Sequence, residues 1–253
     1  MKRIKSRSLK VLIVICILVL LLGVCAMLTF FRVIHPNKVF SAGYEVRGVD
    51  VSAYQGDIDW GLLASQGIDF AYIKATEGSG YTDEYFPYNF KEAKKYGLRV
   101  GGYHFFSYDS PGKTQAENFI SAVPKEQGSL PPVIDLEFYD EYEKKTTPER
   151  DKVLPELADL ALMLEEHYGV RPVIYVTHKS YRLYIKGSEF EDYPLWIRDV
   201  YKPVISPSEW VFWQYADDEH LEGYSGDEDR IDMNVFNGSR EEFLAFCERI
   251  NRR

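Results

Sequence analysis

Residues 131–137 read PPVIDLE, a short apolar run that ends in two carboxylates. The β-branched and aliphatic residues predict a buried strand, and prolines are tolerated at the first positions of a strand. Because residues i and i+2 of a strand share a face, Asp135 and Glu137 are expected to point the same way. Two like charges held close raise the pKa of at least one carboxyl, which keeps a proton available for acid catalysis. Such a pair suits glycoside hydrolysis; the alternative is two solvated side chains at a strand end.

The rest of the chain from residue 46 alternates short β-rich apolar runs with longer helical patterns, which predicts βα units. The predicted strands are 46–51, 70–75, 100–106, 133–137, 172–176, 195–197, 210–215 and 231–235. The predicted helices are 60–66, 84–96, 114–123, 148–168 and 240–250. The last three strands leave little room for crossover helices. We therefore predict an α/β fold, an irregular (β/α) barrel of the TIM-like type whose final part contains antiparallel strands.

Charge is distributed unevenly along the 253 residues. The first 40 residues hold seven of the 30 basic residues and none of the 39 acidic ones, so the remainder has a net charge of −16. An acidic body of this kind argues against a nucleic-acid partner. Aromatic residues make up 15% of the chain, with 19 Tyr, and they offer flat surfaces on which sugars stack.

Cysteine usage gives no disulfide framework and no metal-binding spacing. Cys16 and Cys25 lie in the apolar N-terminal segment, and Cys247 lies in the last predicted helix. CxxC and Cys/His zinc patterns are absent from the sequence. We therefore expect neither a metal nor a cofactor.

The N-terminal segment predicts a membrane anchor. Residues 11–31 are 21 consecutive uncharged positions, which as a helix span roughly 31 Å, about the hydrocarbon thickness of a bilayer. Five basic residues precede the run, so residues 1–10 are expected to form a cytoplasmic tail. Residues 32–45 are then a linker, and 46–253 form the catalytic barrel outside the cell membrane. The alternative is a cleaved signal peptide and a secreted protein, but the run is long for that and lacks Ala-x-Ala at its end.

Polar and aromatic side chains gather at the predicted strand ends, where barrels of this type carry their active sites. Each of these residues alone has an ordinary structural explanation, such as an ion pair or a core position. Their joint occurrence predicts one site. The residues are Asp50, Tyr103, His104, Phe105, Asp135, Glu137, Trp196, Arg198, Trp213, Gln214, Tyr215 and Asp232.

Six motifs give the pattern a family resemblance. In order they are GVDVSAYQGDIDW (48–60), ATEG (75–78), GGYHFF (101–106), PVIDLE (132–137), WQY (213–215) and IDMNVF (231–236). Over residues 46–240 the chain resembles the glycoside hydrolase family 25 lysozymes, the muramidases. The resemblance implies cleavage of the β-1,4 bond between N-acetylmuramic acid and N-acetylglucosamine in peptidoglycan, without a metal. We expect no cofactor and a monomer.

The resemblance also implies roles for individual residues. Glu137 is the expected general acid, and Asp135 is expected to stabilise the transition state or to orient the N-acetyl group. Asp50 and Asp232 are the supporting carboxylates. A 2-acetamido group that assists the reaction favours retention over inversion. The residues expected to line the sugar groove are Tyr103, Phe105, Trp196, Trp213, Gln214 and Tyr215.

Arg198 departs from the family pattern, which usually has a small residue at this position. Two placements are open. Its charge either points into the groove, to pair with Asp232 or with a carboxylate of the substrate, or lies outside the rim.

Two rival functions remain on the sequence alone. One is a metal-dependent hydrolase that uses side chains at the strand ends, namely Asp50, His104, His178, Asp135 and Glu137; HxH and HExxH pairings are absent from the sequence. The other is a non-catalytic protein that binds cell-wall glycan on the same barrel. Its expected sign is the loss of one of the four acids, and all four are present.

Overall fold

The predicted strands close into one barrel in the computed structural model, which describes residues 2–30, 35–139, 142, 146–205 and 209–248. Going round the barrel the order is β1, β2, β4, β5, β6, β7, β8 and β9, and β9 pairs back with β1. A short strand, β3, pairs with the end of β2 outside this ring. The strands are β1 (Arg47–Val51), β2 (Phe70–Glu77), β3 (Tyr81–Thr82), β4 (Arg99–Phe105), β5 (Val133–Leu136), β6 (Val173–Thr177), β7 (Leu195–Arg198), β8 (Phe212–Glu219) and β9 (Ile231–Phe236).

The last barrel strand runs against the others. β1, β2, β4, β5, β6, β7 and β8 run parallel to one another, whereas β9 is antiparallel to both β8 and β1. The connection from β8 to β9 contains no crossover helix, and a parallel return would need one. The prediction of an irregular barrel with an antiparallel final part is therefore confirmed.

The described residues contain one N-terminal helix and further helices that pack around the barrel. They are α1 (Lys2–Phe30), α2 (Pro36–Ser41), α3 (Trp60–Ser65), α4 (Phe86–Lys95), α5 (Gly112–Ala122), α6 (Arg150–Tyr168), α7 (His178–Ser180), which continues as a π-helical turn (Tyr181–Ile185), and α8 (Arg240–Cys247). Short 3₁₀ turns lie at Ala53–Gln55 and Glu189–Asp192. The five helices predicted for the barrel are present with ends shifted by a few residues, and positions 249–250 lie outside the described residues.

Two hydrophobic clusters separate the inside of the barrel from the outside. The inner cluster is rich in aromatic rings, including Phe70, Tyr72 and Trp196, and α8 closes its lower end. The outer cluster lies between the strands and the helices. Glycine makes room for the inner rings, because a Cβ on Gly48 would lie 2.4 Å from the ring of Phe70. The interior of this eight-stranded barrel is thus filled largely by side chains.

The segment expected to be a linker contains helix α2, which docks on the barrel. The buried Asn37 side chain donates hydrogen bonds from Nδ2 to the carbonyls of Asp199 (2.8 Å) and Tyr215 (3.0 Å). Lys38 pairs with Glu219 at 2.6 Å, and the ring of Tyr44 packs on Trp210. A helix of six residues is too short to show an apolar period, which is why the sequence did not predict it. The domain boundaries themselves stay predictions.

Helix α1 contains the predicted membrane segment. Residues Leu9–Thr29 are apolar and long enough to cross a bilayer, and the side chains in this window are not buried against the barrel. Phe31, the last residue of the predicted span, lies outside the described residues.

The close approach of α5 and α6 gives a test of packing. A Cβ on Gly112 would lie 1.9 Å from the carbonyl oxygen of Glu156, which is backbone and cannot swing away. We expect Gly112→Ala to lower the free energy of unfolding by about 1–3 kcal/mol, although alanine normally favours a helix. The measurement is chemical unfolding of the full chain in detergent.

Gly80 provides the matched control, because a Cβ there meets no atom within 4 Å. Gly80→Ala should change the free energy of unfolding by no more than about 0.5 kcal/mol. Equal effects of the two substitutions would contradict the packing argument.

Candidate active site

All four predicted acids line one cavity at the open end of the barrel. Asp50 comes from β1, Asp135 from β5 and Asp232 from β9, and Glu137 follows β5 directly. The cavity encloses about 700 Å³, including space open to solvent. Asp232 reaches this end because β9 is antiparallel, so its first residues lie where the other strands finish. The remaining lining residues are Val51, Ser52, Tyr54, Gln55, Lys74, Tyr103, Phe105, Val133, Tyr175, Trp196 and Glu228.

Asp50 and Asp232 form a pair held by two amides. They are direct partners in the β1–β9 register. Gln214 Nε2 donates to both Asp50 oxygens (3.0 and 3.1 Å) and to Asp232 Oδ2 (3.0 Å). Asn234 Nδ2 donates to Asp50 Oδ1 at 2.6 Å. Gln214, predicted to lie in the sugar groove, thus anchors this acid pair.

The amides are in turn held by aromatic side chains. Tyr175 donates its hydroxyl proton to Gln214 Oε1 at 2.9 Å, and Trp196 Nε1 donates to Asn234 Oδ1 at 2.9 Å. Since Oε1 and Oδ1 accept these bonds, both amide nitrogens face the acids. The orientation of each donor is therefore determined by a ring in the inner cluster.

The pKa values of Asp50 and Asp232 are both raised. Burial raises the pKa of Asp50, against the lowering effect of its hydrogen bonds from Asn234 and Gln214. Burial raises the pKa of Asp232 well above its ordinary value, and the nearby Asp50 charge raises it further. Burial and the neighbouring charge therefore raise the pKa of Asp232 more strongly than the pKa of Asp50.

Asp135 is the more enclosed member of the pair predicted on the central strand. It is 7% exposed, and its Oδ1 accepts no hydrogen bond from the residues that the structure describes. Burial raises its pKa well above the ordinary value, and the charge of Glu137 adds to this. Glu137 is half-buried and lines the same cavity, as the i, i+2 spacing predicted.

The cavity wall next to these acids contains a cation that the sequence reasoning did not select. Lys74 Nζ pairs with Glu77 Oε2 at 2.7 Å and lies 4.8 Å from the ring centre of Phe105. Its charge lowers the pKa of Asp135, against the effect of burial. The signal was available, because Lys74 lies two residues after the inward-facing Tyr72 on the same strand.

The structure does not bring Trp213 and Tyr215 to the cavity, although both were predicted to line the sugar groove. They are 1% and 2% exposed and belong to the outer cluster. Trp213 Nε1 donates to the carbonyl of Asp199, and the Tyr215 hydroxyl accepts from Arg47 Nη2. Successive residues of a strand face opposite sides, so an inward Gln214 requires both neighbours to face outward. Tyr103, Phe105 and Trp196, in contrast, line the cavity as predicted.

The histidines of the rival metal site lie apart from the acids. His104 is fully buried, and its ring nitrogens bond to Thr76 Oγ1 (2.7 Å) and Gln115 Oε1 (3.0 Å). Burial lowers the pKa of His104 to about 4. His178 Nε2 bonds to Asp199 at 2.7 Å. Within the described ranges, no three His, Cys, Asp or Glu side chains are arranged to hold a metal ion.

A barrel whose open end carries two carboxyl pairs in an aromatic-walled cavity has the equipment of a glycoside hydrolase. Residues 49–224 match the family described as Glycosyl hydrolases family 25. The chain belongs to this family, which confirms the resemblance seen in its motifs.

Known relatives agree with this assignment. The uncharacterized protein YegX of Escherichia coli O157:H7 is 35% identical, over 85% of this chain and 80% of its own length. Lysozyme M1 of Streptomyces globisporus is 34% identical, over 80% of this chain and 71% of its own. A solved family 25 glycosyl hydrolase from Bacillus anthracis superposes with a TM-score of 0.75 at 50% identity, covering 80% of this chain and 94% of that one.

The raised pKa of Asp135 predicts a pH-dependent cost in stability. Its folded pKa lies above the unfolded value of about 3.9, so the native state binds more protons between the two values, and stability falls as pH rises through them. Asp135→Asn removes this loss. We expect its stability relative to the parent chain to be more favourable at pH 7 than at pH 4, measured by urea unfolding at both pH values.

Asp227→Asn is the control, because Asp227 is an exposed carboxylate near the same end of the barrel. Its effect on stability should be small and similar at both pH values. An Asp135→Asn difference that does not vary with pH would show that burial does not govern this carboxyl.

Proposed function

We propose that the chain is a membrane-anchored peptidoglycan muramidase that uses Glu137 as general acid. Family 25 membership makes it a glycoside hydrolase, and relatives named as lysozymes indicate peptidoglycan as the substrate. The observation that carries the proposal is the placing of Asp135 and Glu137 with the Asp50–Asp232 pair in one cavity.

The proton donor must reach the oxygen of the leaving sugar. Glu137 follows the end of β5 and is the less enclosed member of its pair, whereas Asp135 is 7% exposed. A donor at the rim can contact a bound glycan without a movement of the strand. This position supports Glu137 as the acid and leaves Asp135 for a second role.

The second role follows from the Asp135 oxygen that has no hydrogen-bond partner among the described residues. Its Oδ1 accepts no bond from the described residues, and Asp135 lines the cavity. In ionised form it can accept the N–H of a 2-acetamido group and turn that group's carbonyl towards the anomeric carbon. This supports substrate assistance and therefore retention of configuration.

The Asp50–Asp232 pair contributes negative charge near the oxocarbenium-like centre. Because Gln214 and Asn234 hold it in place, it needs no reorganisation when positive charge develops on the sugar. The half-exposed rings of Tyr103 and Phe105 provide surfaces for the sugar, and the buried Trp196 lies beneath them at the cavity wall.

Anchoring rests on helix α1. Its apolar window Leu9–Thr29 is long enough to span a bilayer, and basic residues precede it. With the N-terminus in the cytoplasm, the barrel lies outside, on the side where peptidoglycan is. Cleavage of the segment as a signal peptide is the alternative that the topology test below separates.

The catalytic role of Glu137 is tested by Glu137→Gln, which keeps the size of the side chain and removes the proton. Turnover on purified peptidoglycan should fall by about 10²- to 10⁴-fold, while glycan binding persists because the aromatic wall is intact. Reduction and mass analysis of the parent enzyme's products should show new muramic acid reducing ends.

The control for this variant is Glu117→Gln on the exposed face of α5, which should keep full turnover. Near-parental turnover in a folded Glu137→Gln protein would remove Glu137 as the acid. Glucosamine or anhydromuramic ends would assign the parent enzyme to a different class of wall hydrolase.

Topology is tested with intact spheroplasts that express the full chain. Added protease should digest the barrel and leave the α1 segment in the membrane fraction, because the body is expected on the outer side. Mature protein found free in the medium and beginning near Ala42 would instead establish a cleaved signal peptide.

A further inference from the structure

Arg198 is a cation beside a cavity that is lined mostly by acids. It ends β7 and is the register partner of Gln214, whose side chain holds the Asp50–Asp232 pair. Trp196, two residues earlier on the same face of β7, lines the cavity. The alternation of a strand therefore puts the Arg198 side chain on the cavity side, above Trp196 and at the rim.

One carboxylate holds the guanidinium and leaves most of its donors free. Arg198 Nη2 donates to Asp217 Oδ2 at 2.5 Å, and the Arg198 side chain is 31% exposed. Arg has five N–H donors in a rigid planar fork. No other hydrogen bond from this guanidinium to a described residue is present. Asp217 therefore fixes the direction of the fork, and Nε and Nη1 remain available at the rim.

The charge of Arg198 acts on three of the four acids. It lowers the pKa of Asp50, Asp135 and Asp232, against the raising effect of burial on each. These effects agree with the place of Arg198 on β7, two residues after the cavity-lining Trp196 and opposite Gln214. A negatively charged group of a bound glycan would meet the free side of the fork.

We propose that Arg198 is a specificity-determining residue that binds a carboxylate of the substrate through the N–H groups that Asp217 leaves free. The proposal rests on the proposed function, because it concerns the substrate of that same site. A planar carboxylate matches the guanidinium fork and can accept two parallel hydrogen bonds. Peptidoglycan offers this group from two sources: the lactyl carboxylate of a muramic acid without peptide, and the carboxylates of a stem peptide.

Three defined substrates separate these sources. Each is a tetrasaccharide of alternating N-acetylglucosamine and N-acetylmuramic acid. The first has free lactyl carboxylates, the second has them converted to neutral methylamides, and the third has them amidated with the dipeptide L-Ala-D-Glu, which carries its own carboxylates. The full chain in detergent is assayed on all three for kcat and KM.

We expect Arg198→Gln to lower kcat/KM by about 10- to 100-fold more on the substrate that supplies the carboxylate than on the neutral methylamide, where only the effect of its charge on the acids is lost. The loss should lie mainly in KM, because the contact is made in the ground state as well as in the transition state. Arg198→Lys should recover part of the loss, because it keeps the charge without the fork. A loss confined to the first or to the third substrate supports the proposal and identifies the source.

A matched control removes the same charge elsewhere. Arg171 lies just before β6, at the opposite end of the barrel, and is half-exposed. Arg171→Gln should leave the order of the three substrates unchanged. Circular dichroism on each variant confirms that the barrel is folded.

Other outcomes would overturn the proposal. An equal loss on all three substrates, with a displaced pH profile on the methylamide, would show that Arg198 acts only on the acids. No loss on any substrate would show that the guanidinium does not contact the glycan. If the parent enzyme cleaves all three substrates and Arg198→Gln behaves identically, the Arg198 proposal fails and the muramidase function stands. If the parent enzyme cleaves none of the three, both proposals fail.

Discussion

The burial of ionisable carboxyl groups at one end of an aromatic-filled barrel is the constraint on which the site depends. Enclosed acids need donors, and here Gln214 and Asn234 supply them to Asp50 and Asp232. The two amides are oriented by Tyr175 and Trp196, so one network joins β6, β7, β8, β9 and β1. The residues that hold the acids also fix neighbouring barrel strands relative to one another. A change in this network is therefore expected to affect geometry and proton occupancy together.

The two acid pairs differ in how their buried oxygens are hydrogen-bonded. Asp50 and Asp232 share the donor Gln214, whereas Asp135 has an oxygen without a partner among the described residues. An unsatisfied buried oxygen costs stability unless a ligand fills it. Enzymes commonly keep such groups where the substrate completes the hydrogen bonding. In the proposed reaction a polar group of the glycan would complete the hydrogen bonding of Asp135, while the Asp50–Asp232 pair keeps its position through Gln214 and Asn234.

The parts of the fold that follow the two-residue period of a strand were predictable from the sequence. The apolar runs gave the barrel strands, and the i, i+2 spacing of Asp135 and Glu137 placed both acids in the cavity. The same period, applied to residues 213–215, would have placed Gln214 inside and its aromatic neighbours outside; grouping them as one motif hid that. Helix α2 was missed because its docking depends on carbonyls of Asp199 and Tyr215, more than 160 positions away. Lys74 was missed although the same period places it on the cavity side of β2, two residues after Tyr72.

The docking of α2 also limits the distance between the barrel and helix α1. His35 and Lys38 contact Asp218 and Glu219 at the far end of β8, the end of the barrel that carries the cavity. The chain between Phe30 and His35 can stretch to no more than about 18 Å. With α1 in a bilayer, the cavity end of the barrel stays within a few nanometres of the lipid and moves with it in two dimensions. The enzyme would then reach only the innermost layer of the wall, where its local concentration is high, while glycan strands further out are beyond its tether.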